Sequence, residues 1–118
     1  MTELRVLLVD DEDDVRGLFR YLLQQTDGFE VVGEATNGRE AVDLAAAERP
    51  DIVLLDLRMP VMDGADAIPQ IRERSPDTRI VVFTADPAAD VEGVDAQVIK
   101  GASMAEVLSS LAEAASRP

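Results

Sequence analysis

The feature that most constrains the fold is an uninterrupted apolar run, Ile52 to Leu55, that ends in a single carboxylate at Asp56. An apolar run without alternation is typical of a strand buried on both faces, as strands of a parallel sheet are. Because an unpaired charge is costly inside such a strand, Asp56 is expected at its carboxyl end. Open α/β sheets place their ligand crevice there, so Asp56 is a candidate site residue. The alternative is that Asp56 caps a helix or is a solvated loop charge.

Four more apolar runs predict strands, and segments with helical periodicity separate most of them. The other predicted strands are Leu4 to Val9, Phe29 to Val32, Ile80 to Phe83 and Val98 to Ile99. Apolar residues at helical spacing predict helices around Val15–Leu23, Ala41–Ala45, Ile68–Ile71 and Met104–Leu111. This alternation predicts one α/β domain with a parallel sheet that is covered on both faces.

Composition excludes several classes of function. The chain has 118 residues, which suits one domain, and its net charge of −13 disfavours direct binding to nucleic acid. It has no cysteine and no histidine, so thiol and Ser-His-Asp catalysis and the usual thiolate or imidazole metal sites are excluded. No apolar run approaches the roughly 20 residues of a membrane span. With no signal peptide visible, a cytoplasmic protein is the simplest interpretation.

Polar side chains follow four of the five predicted strands. The first strand is followed by Asp10 and Asp11, the third by Asp56, the fourth by Thr84 and the fifth by Lys100, while the second has no obvious polar group. The carboxyl ends of parallel strands lie on one edge of the sheet. We therefore expect three carboxylates, one hydroxyl and one ammonium group to meet there.

Such a cluster has a specific chemistry. Crowded carboxylates repel one another, and they must take up a proton or share a cation. Mg²⁺ suits this need because it commonly binds one or two carboxylates together with water and phosphate oxygens. The remaining carboxylate can then attack phosphorus and form an acyl phosphate. Thr84 and Lys100 can bind the phosphoryl oxygens, by a hydrogen bond and by charge respectively.

With these residues the chain resembles the receiver domain of bacterial two-component response regulators. The matching segments are Leu7–Glu12, Leu54–Pro60 with Asp63-Gly64, Thr84-Ala85 and Ile99-Lys100. The resemblance covers nearly the whole chain, so residues 1–118 are expected to form one receiver domain. It implies a flavodoxin-like fold, a doubly wound five-stranded parallel sheet in the order 2-1-3-4-5.

The resemblance also implies a role for each site residue. Asp56 would be the phosphoacceptor, and Asp11, Asp56 and the backbone carbonyl of Arg58 would bind Mg²⁺. Asp10 would act on the ion through a water, while Thr84 and Lys100 would hold the phosphoryl group. The implied partners are a sensor histidine kinase as donor and a possible second receiver in a homodimer. Enzymatic activity would be limited to Mg²⁺-dependent self-phosphorylation and dephosphorylation.

Two further segments resemble receivers that precede a LuxR-type helix-turn-helix output domain. They are Val31–Ala41, which contains Asn37-Gly38, and Lys100–Ser103. The last residues, Ala115 to Pro118, fall about where a linker would begin. The chain is therefore expected to be the amino-terminal part of a transcriptional regulator or a stand-alone receiver.

The chain departs from the family pattern in three places. The segment between Thr84 and Lys100 is several residues shorter than usual, which predicts a shortened fourth helix that Pro87 could start and Gly93 would end. Gln97 replaces the usual aromatic residue three positions before the lysine, so the family's threonine–aromatic switch cannot operate in its usual form. Gly101 follows the lysine where proline is frequent, and no cis bond is expected there.

Two alternatives to a phosphorylation switch follow from these departures and from the acidic cluster. One is an interaction module that keeps the fold but does not depend on phosphorylation. The other, weaker one is a phosphatase with an aspartyl nucleophile, whose second aspartate would be needed where Arg58 stands. We also hypothesise that Arg58 and Asp86 form an ion pair across the mouth of the pocket and slow acyl-phosphate hydrolysis; the competing interpretation leaves both in water.

Overall fold

The computed structural model describes residues 3–86, 88–89 and 91–116 of the chain, and its elements alternate as the sequence predicts. The described residues form five strands: β1 (Leu4–Val9), β2 (Phe29–Ala35), β3 (Ile52–Asp56), β4 (Arg79–Thr84) and β5 (Ala96–Ile99). In the same part of the chain four helices connect or follow them: α1 (Asp13–Gln24), α2 (Gly38–Glu48), α3 (Gly64–Arg74) and α4 (Met104–Ser116). None of these helices is long and apolar enough to cross a membrane.

The strands form one parallel sheet in the order β2-β1-β3-β4-β5. This confirms the predicted doubly wound α/β fold and the strand order. In the register of the sheet, Val9 lies opposite Leu55, Asp56 opposite Phe83, and Thr84 opposite Ile99. The ends of β1, β3, β4 and β5 are therefore level with one another along one edge.

Each face of the sheet carries its own hydrophobic core. Every residue of β3 is buried, and its alternate side chains enter opposite cores. Val53 and Leu55 belong to the cluster that contains apolar residues of α2 and α3. Ile52 and Leu54 belong to the cluster that contains apolar residues of α1 and α4. This two-sided burial explains why the run from Ile52 to Leu55 shows no alternation.

Local sequence signals explain where two of the helices begin. The side chain of Asn37 accepts a hydrogen bond from the backbone N–H of Glu40 at 2.9 Å and caps α2. The side chain of Asp63 accepts one from the N–H of Asp66 at 3.0 Å and caps α3. Pro69 lies within α3, where it removes one backbone donor.

The segment between β4 and β5 shows how far the fourth helix of the family is reduced. Its described residues form bends and turns and contain no helix. Shortening was expected, and the described residues of this segment do not show the turn or two of helix that the sequence indicated. Pro87, the expected start of that helix, lies outside the described residues. No cis peptide bond occurs among the described residues, as expected for the bond that joins Lys100 to Gly101.

Polar contacts hold this short connection to the sheet. Arg72 on α3 donates to the backbone carbonyl of Gly93 and to Asp95 Oδ2 at 2.9 Å. Asp95 Oδ2 also accepts the backbone N–H of Ile80 at 2.7 Å, and the N–H of Asp95 donates to the carbonyl of Ile80 at 2.8 Å. The side chain of Asp95 is 15% exposed. Asp95 thus fixes the end of the connection against the start of β4.

The second strand is longer than the sequence indicated. It continues past Val32 through Gly33 and Glu34 to Ala35. The expectation that this strand brings no polar group to the edge therefore needs correction, because Glu34 lies next to its end. The side chain of Glu34 forms ion pairs with Arg16 and Arg20 of α1.

Candidate acidic pocket at the sheet edge

The three carboxylates that the sequence predicted at the sheet edge lie close together. Asp10, Asp11 and Asp56 each offer a carboxylate oxygen, and these oxygens all lie within 4.8 Å of one another. Asp10 and Asp56 are each 3% exposed, while Asp11 is exposed. Two buried acids and one exposed acid thus form a site that opens to solvent on the side of Asp11.

Asp56 is held at the end of β3 by contacts on both of its oxygens. Oδ1 accepts the backbone N–H of Arg58 at 3.3 Å, and Oδ2 lies 3.5 Å from Nζ of Lys100. The following loop returns tightly, because the N–H of Gly64 donates to the carbonyl of Leu57 at 2.8 Å. A Cβ on Gly64 would lie 2.3 Å from the backbone oxygen of Asp56, so only glycine allows this approach. The Asp-Gly pair after Pro60 therefore fixes the backbone beneath Asp56.

The helix that follows β2 also supports this loop. The N–H of Gly38, the first residue of α2, donates to the carbonyl of Met62 at 2.7 Å. A Cβ on Gly38 would lie 2.4 Å from that same carbonyl oxygen. The Asn37-Gly38 pair therefore both caps α2 and brings it against the loop that carries the site.

Asp10 is the least satisfied polar group of the described site. Its Oδ1 accepts the backbone N–H of Glu12 at 2.9 Å, but its buried Oδ2 has no hydrogen-bond partner. Burial, with the charges of Asp56 and Asp11 adding to it, raises the pKa of Asp10 to about 6. Burial also raises the pKa of Asp56, although the N–H of Arg58 and the charge of Lys100 oppose the shift. A site with these properties favours a bound cation over bare carboxylates.

Replacement of Asp10 by asparagine is expected to stabilise the protein in the absence of divalent cations. The folded state raises the pKa of Asp10 from 3.8 to about 6, so folding disfavours the ionised form. This penalty is absent below about pH 3, where both states are protonated, grows as the pH rises through 3.8 to about 6 and persists above that. At neutral pH we expect the variant to gain about 1–2 kcal/mol in the free energy of unfolding, measured by urea denaturation.

The pH dependence separates this effect from a general change in packing. At about pH 3, below the unfolded pKa of 3.8, the gain of the Asp10→Asn variant should nearly vanish. Asp77→Asn, at an exposed turn, is the matched control and should leave the free energy of unfolding unchanged at both pH values. A variant at Asp10 that is no more stable than the wild type at neutral pH would contradict the interpretation.

Lys100 and Thr84 reach the edge of the sheet from the neighbouring strands. The backbone N–H of Lys100 donates to the carbonyl of Thr84 at 2.7 Å, which fixes the two residues side by side. Nζ of Lys100 also lies 3.9 Å from Oε1 of Glu12 and 5.6 Å from the centre of the Phe83 ring. The hydroxyl of Thr84, in a residue 5% exposed, accepts the backbone N–H of Asp86 at 3.1 Å.

An opening of about 260 Å³ lies beside Asp56 and is lined by Asp56, Arg58, Ala85, Asp86 and Lys100. Arg58 and Asp86 thus face the same space, as the hypothesis of a charged gate requires. They do not form the hypothesised ion pair, however. Oδ1 of Asp86 instead accepts the backbone N–H of Ala88 at 2.9 Å. The local turn after β4 therefore holds one oxygen of the carboxylate that the gate would need.

Some residues of the site were not found by sequence reasoning. Arg16 donates to the backbone carbonyl of Asp10 at 2.8 Å, and Glu34 holds Arg16 in turn. Phe83 lies under Lys100 and forms an edge-to-face pair with Phe19, with ring centres 4.9 Å apart. Arg16 could have been found from its place on the first turns of a helix that starts at the acidic segment. Nothing in the sequence indicates that Glu34 of β2 is its partner.

The fold and the site together define a class of proteins. A doubly wound parallel sheet carries a carboxylate at the end of its central strand, and two acids, a threonine and a lysine gather around it at the same edge. The chain belongs to the response regulator receiver domain family, whose family model matches residues 6–109. It is therefore the receiver domain of a response regulator of the two-component type.

Relatives with different overall architectures share this domain. The chain is 46% identical over 81 residues to the chemotaxis protein CheY of Thermotoga maritima, which covers 69% of this chain and 67% of CheY. It is 36% identical over 116 residues to the nitrate/nitrite response regulator protein NarL of Escherichia coli, which covers 93% of this chain and 54% of NarL. A protein-glutamate methylesterase of Alkalilimnicola ehrlichii is 43% identical over 82 residues, and the match spans 21% of its length. The chain thus spans only part of several of its relatives.

Solved structures are also similar. The signal receiver domain of the putative response regulator NarL from Mycobacterium tuberculosis has a TM-score of 0.88 and 29% identity, and it covers 99% of this chain and 100% of that one. A chain in the crystal structure of the CheX–CheY–BeF₃–Mg²⁺ complex from Borrelia burgdorferi has a TM-score of 0.87 and 26% identity. The match covers 95% of this chain and 89% of that chain. In that complex the CheY chain was solved together with a protein partner and a magnesium ion.

Proposed function

We propose that the receiver accepts a phosphoryl group on Asp56. The observation that carries the proposal is the position of this carboxylate, which is buried at a strand end, faces Nζ of Lys100 at 3.5 Å and borders an opening large enough for a phosphoryl group. A carboxylate oxygen forms a bond to phosphorus while the bond from phosphorus to the donor breaks, and the donor leaves with the electron pair. With acetyl phosphate as the donor the leaving group is acetate, and with a phosphohistidine it is the histidine side chain.

The neighbouring residues suit the remaining roles. Lys100 would balance the negative charge of the acyl phosphate. The hydroxyl of Thr84 accepts the N–H of Asp86 and keeps its own O–H free to donate to a phosphoryl oxygen. In the absence of the phosphoryl group, the described contacts of Lys100 are with carboxylates and an aromatic ring. Phosphorylation would therefore redirect a cation that already lies at the site.

The acidic pocket fits a magnesium ion. Hard oxygen donors, an unpartnered buried oxygen on Asp10 and three carboxylates within 4.8 Å are the chemistry that Mg²⁺ needs. Asp11, Asp56 and the backbone carbonyl of Arg58 would hold the ion directly, and Asp10 would act through a water. When bound, the ion neutralises charge on the carboxylates and on the phosphoryl oxygens.

The direct test is to incubate the protein with acetyl phosphate and MgCl₂ and to measure its intact mass. We expect the mass of one phosphoryl group to be added, and we expect EDTA to prevent the addition. No added mass under these conditions would contradict the proposal. That result would favour the alternative of an interaction module that does not depend on phosphorylation, which the reduced β4–β5 connection and Gln97 support.

Mg²⁺ binding is expected to depend more on Asp11 than on Asp10. Asp11 is exposed and can bind the ion directly, whereas Asp10 is buried and already accepts the N–H of Glu12. We expect Asp11→Ala to weaken Mg²⁺ binding at least tenfold and Asp10→Ala to weaken it less, as an outer ligand would. Isothermal titration calorimetry of both variants measures this. Equal or reversed losses of affinity would overturn the assignment.

The wider setting follows from the family. We propose that residues 1–118 form one receiver domain in the cytoplasm, that a sensor histidine kinase donates the phosphoryl group, and that the domain itself does not bind nucleic acid. Its only chemical activity would be Mg²⁺-dependent self-phosphorylation and dephosphorylation. Similarity to the transcriptional regulatory protein YdfI of Bacillus subtilis and to a LuxR family two-component response regulator from Aurantimonas sp. supports an output in transcription regulation through a LuxR-type domain. A second receiver in a homodimer is part of the same proposal.

A further inference from the structure

Arg16 of α1 joins three parts of the chain that meet behind the acidic pocket. Its Nη1 donates to the backbone carbonyl of Asp10 at 2.8 Å, its Nε to Oε1 of Glu34 at 3.1 Å and its Nη2 to Oδ1 of Asp13 at 2.6 Å. Its side chain is only 13% exposed. The guanidinium therefore connects the loop after β1, the first turn of α1 and the end of β2 through one rigid plane.

The contact with the carbonyl of Asp10 bears directly on the site. Asp10 and Asp11 lie on the short loop between β1 and α1, and the carbonyl of Asp10 belongs to the peptide that links them. Among the described residues, Arg16 is the partner that the structure gives this carbonyl. Rotation of this peptide would turn the backbone of Asp11 and move its carboxylate away from Asp56. Arg16 restrains that rotation.

The charge of Arg16 is neutralised by residues that are not part of the pocket. Asp13 and Glu34 both contact its guanidinium, and Arg20 shares Glu34 through Nη1, at 2.9 and 3.0 Å from its two oxygens. Two cations and two anions thus form a balanced group. Hydrogen bonding to Asp13, the largest cause, raises the pKa of Arg16, so the side chain stays charged. A cation at this position restrains the loop without occupying the carboxylates of the site.

We propose that Arg16, anchored by Glu34, is a positioning residue that sets the geometry of the Mg²⁺ pocket by fixing the peptide between Asp10 and Asp11. The inference rests on the proposed function, since it concerns the ion that Asp11 and Asp56 would bind. It adds residues outside the pocket, including one on β2, to the set that determines affinity for the ion.

The test compares Mg²⁺ affinity with stability in the absence of the ion. Arg16→Met removes all three contacts and keeps a long apolar stem. The matched control is Arg20→Met, which loses an ion pair to the same Glu34 but has no described contact with the loop. We expect the Kd for Mg²⁺ to rise about tenfold in Arg16→Met and to change less than about twofold in Arg20→Met. Calorimetry on the full chain measures both values. Urea denaturation without Mg²⁺ records any loss of stability that the two variants share.

Each outcome separates positioning from a structural role and from failure of the proposed function. Arg16→Lys keeps the charge but cannot span three partners, so we expect an intermediate loss of affinity. If both Arg16 variants bind Mg²⁺ as the wild type does, the inference is wrong, whatever their stability. If Arg16→Met does not fold, the Mg²⁺ affinity of Arg16→Lys alone tests the inference, and an affinity equal to that of the wild type contradicts it. If Asp11→Ala also binds Mg²⁺ like the wild type, the pocket itself is misassigned and the proposed function fails.

Discussion

Substitution of Asp56 by asparagine is expected to abolish labelling by acetyl phosphate. An asparagine amide has nearly the shape of the carboxylate but cannot form an acyl phosphate, so the phosphoryl group has no acceptor. The fold should be retained, because burial raises the pKa of Asp56 and the neutral amide removes a charge that folding disfavours. Intact-mass measurement after incubation with acetyl phosphate and MgCl₂ should show a single unmodified species.

The control for this experiment is a carboxylate far from the pocket. Asp77 lies in the exposed turn before β4, and Asp77→Asn should be labelled to the same extent as the wild type. Circular dichroism of both variants should match the wild type, which excludes loss of the fold as the cause. Undiminished labelling of Asp56→Asn would show that another side chain accepts the phosphoryl group, and the assignment of the site would then be wrong.

Substitution of Asp95 by alanine is expected to cause the largest loss of stability that we predict. The change removes the acceptor for the N–H of Ile80, a residue that is 0% exposed, and it removes the carboxylate partner of Arg72. A buried donor left without a partner costs about 1–3 kcal/mol, and loss of the charged contact adds to this. We expect the free energy of unfolding in urea to fall by about 3 kcal/mol.

Two comparisons sharpen this result. Asp95→Asn keeps an oxygen that can accept the N–H of Ile80, so it should cost only about 1 kcal/mol. Asp43→Ala removes an exposed partner of Arg39 that lies 3.8 Å away, and it should change stability by less than about 0.5 kcal/mol. If Asp95→Ala were no more harmful than Asp43→Ala, the short connection would be held by something other than Asp95.

The reduced connection also bears on signalling. Between β4 and β5 the described residues form bends and turns, held by Arg72 and Asp95, where the resemblance implies a helix. Gln97 stands where the resemblance implies an aromatic residue. An aromatic ring does lie beside the pocket, but it belongs to Phe83, which contacts Lys100 and Phe19. Phe19 lies on α1. The aromatic contacts therefore connect Lys100 through Phe83 to α1, and not to the segment between β4 and β5.

The sequence by itself determined the architecture and the members of the acidic pocket. Apolar runs that end in Asp10, Asp56, Thr84 and Lys100 suffice, because parallel strands place their carboxyl ends on one edge whatever the details of packing. These features depend on the order of residues along short stretches of chain.

The tertiary structure alone decided the contacts between distant side chains. The sequence gives no sign that Arg16 reaches Glu34, that Arg72 holds Asp95, or that Asp86 bonds its own turn and leaves Arg58 without the hypothesised ion pair. Partners of this kind are chosen by backbone path and rotamer, and several acids compete for each arginine in a chain with 24 acidic and 11 basic residues. Local periodicity therefore predicts which residues reach the edge of the sheet, whereas only packing in three dimensions fixes which of them bind one another.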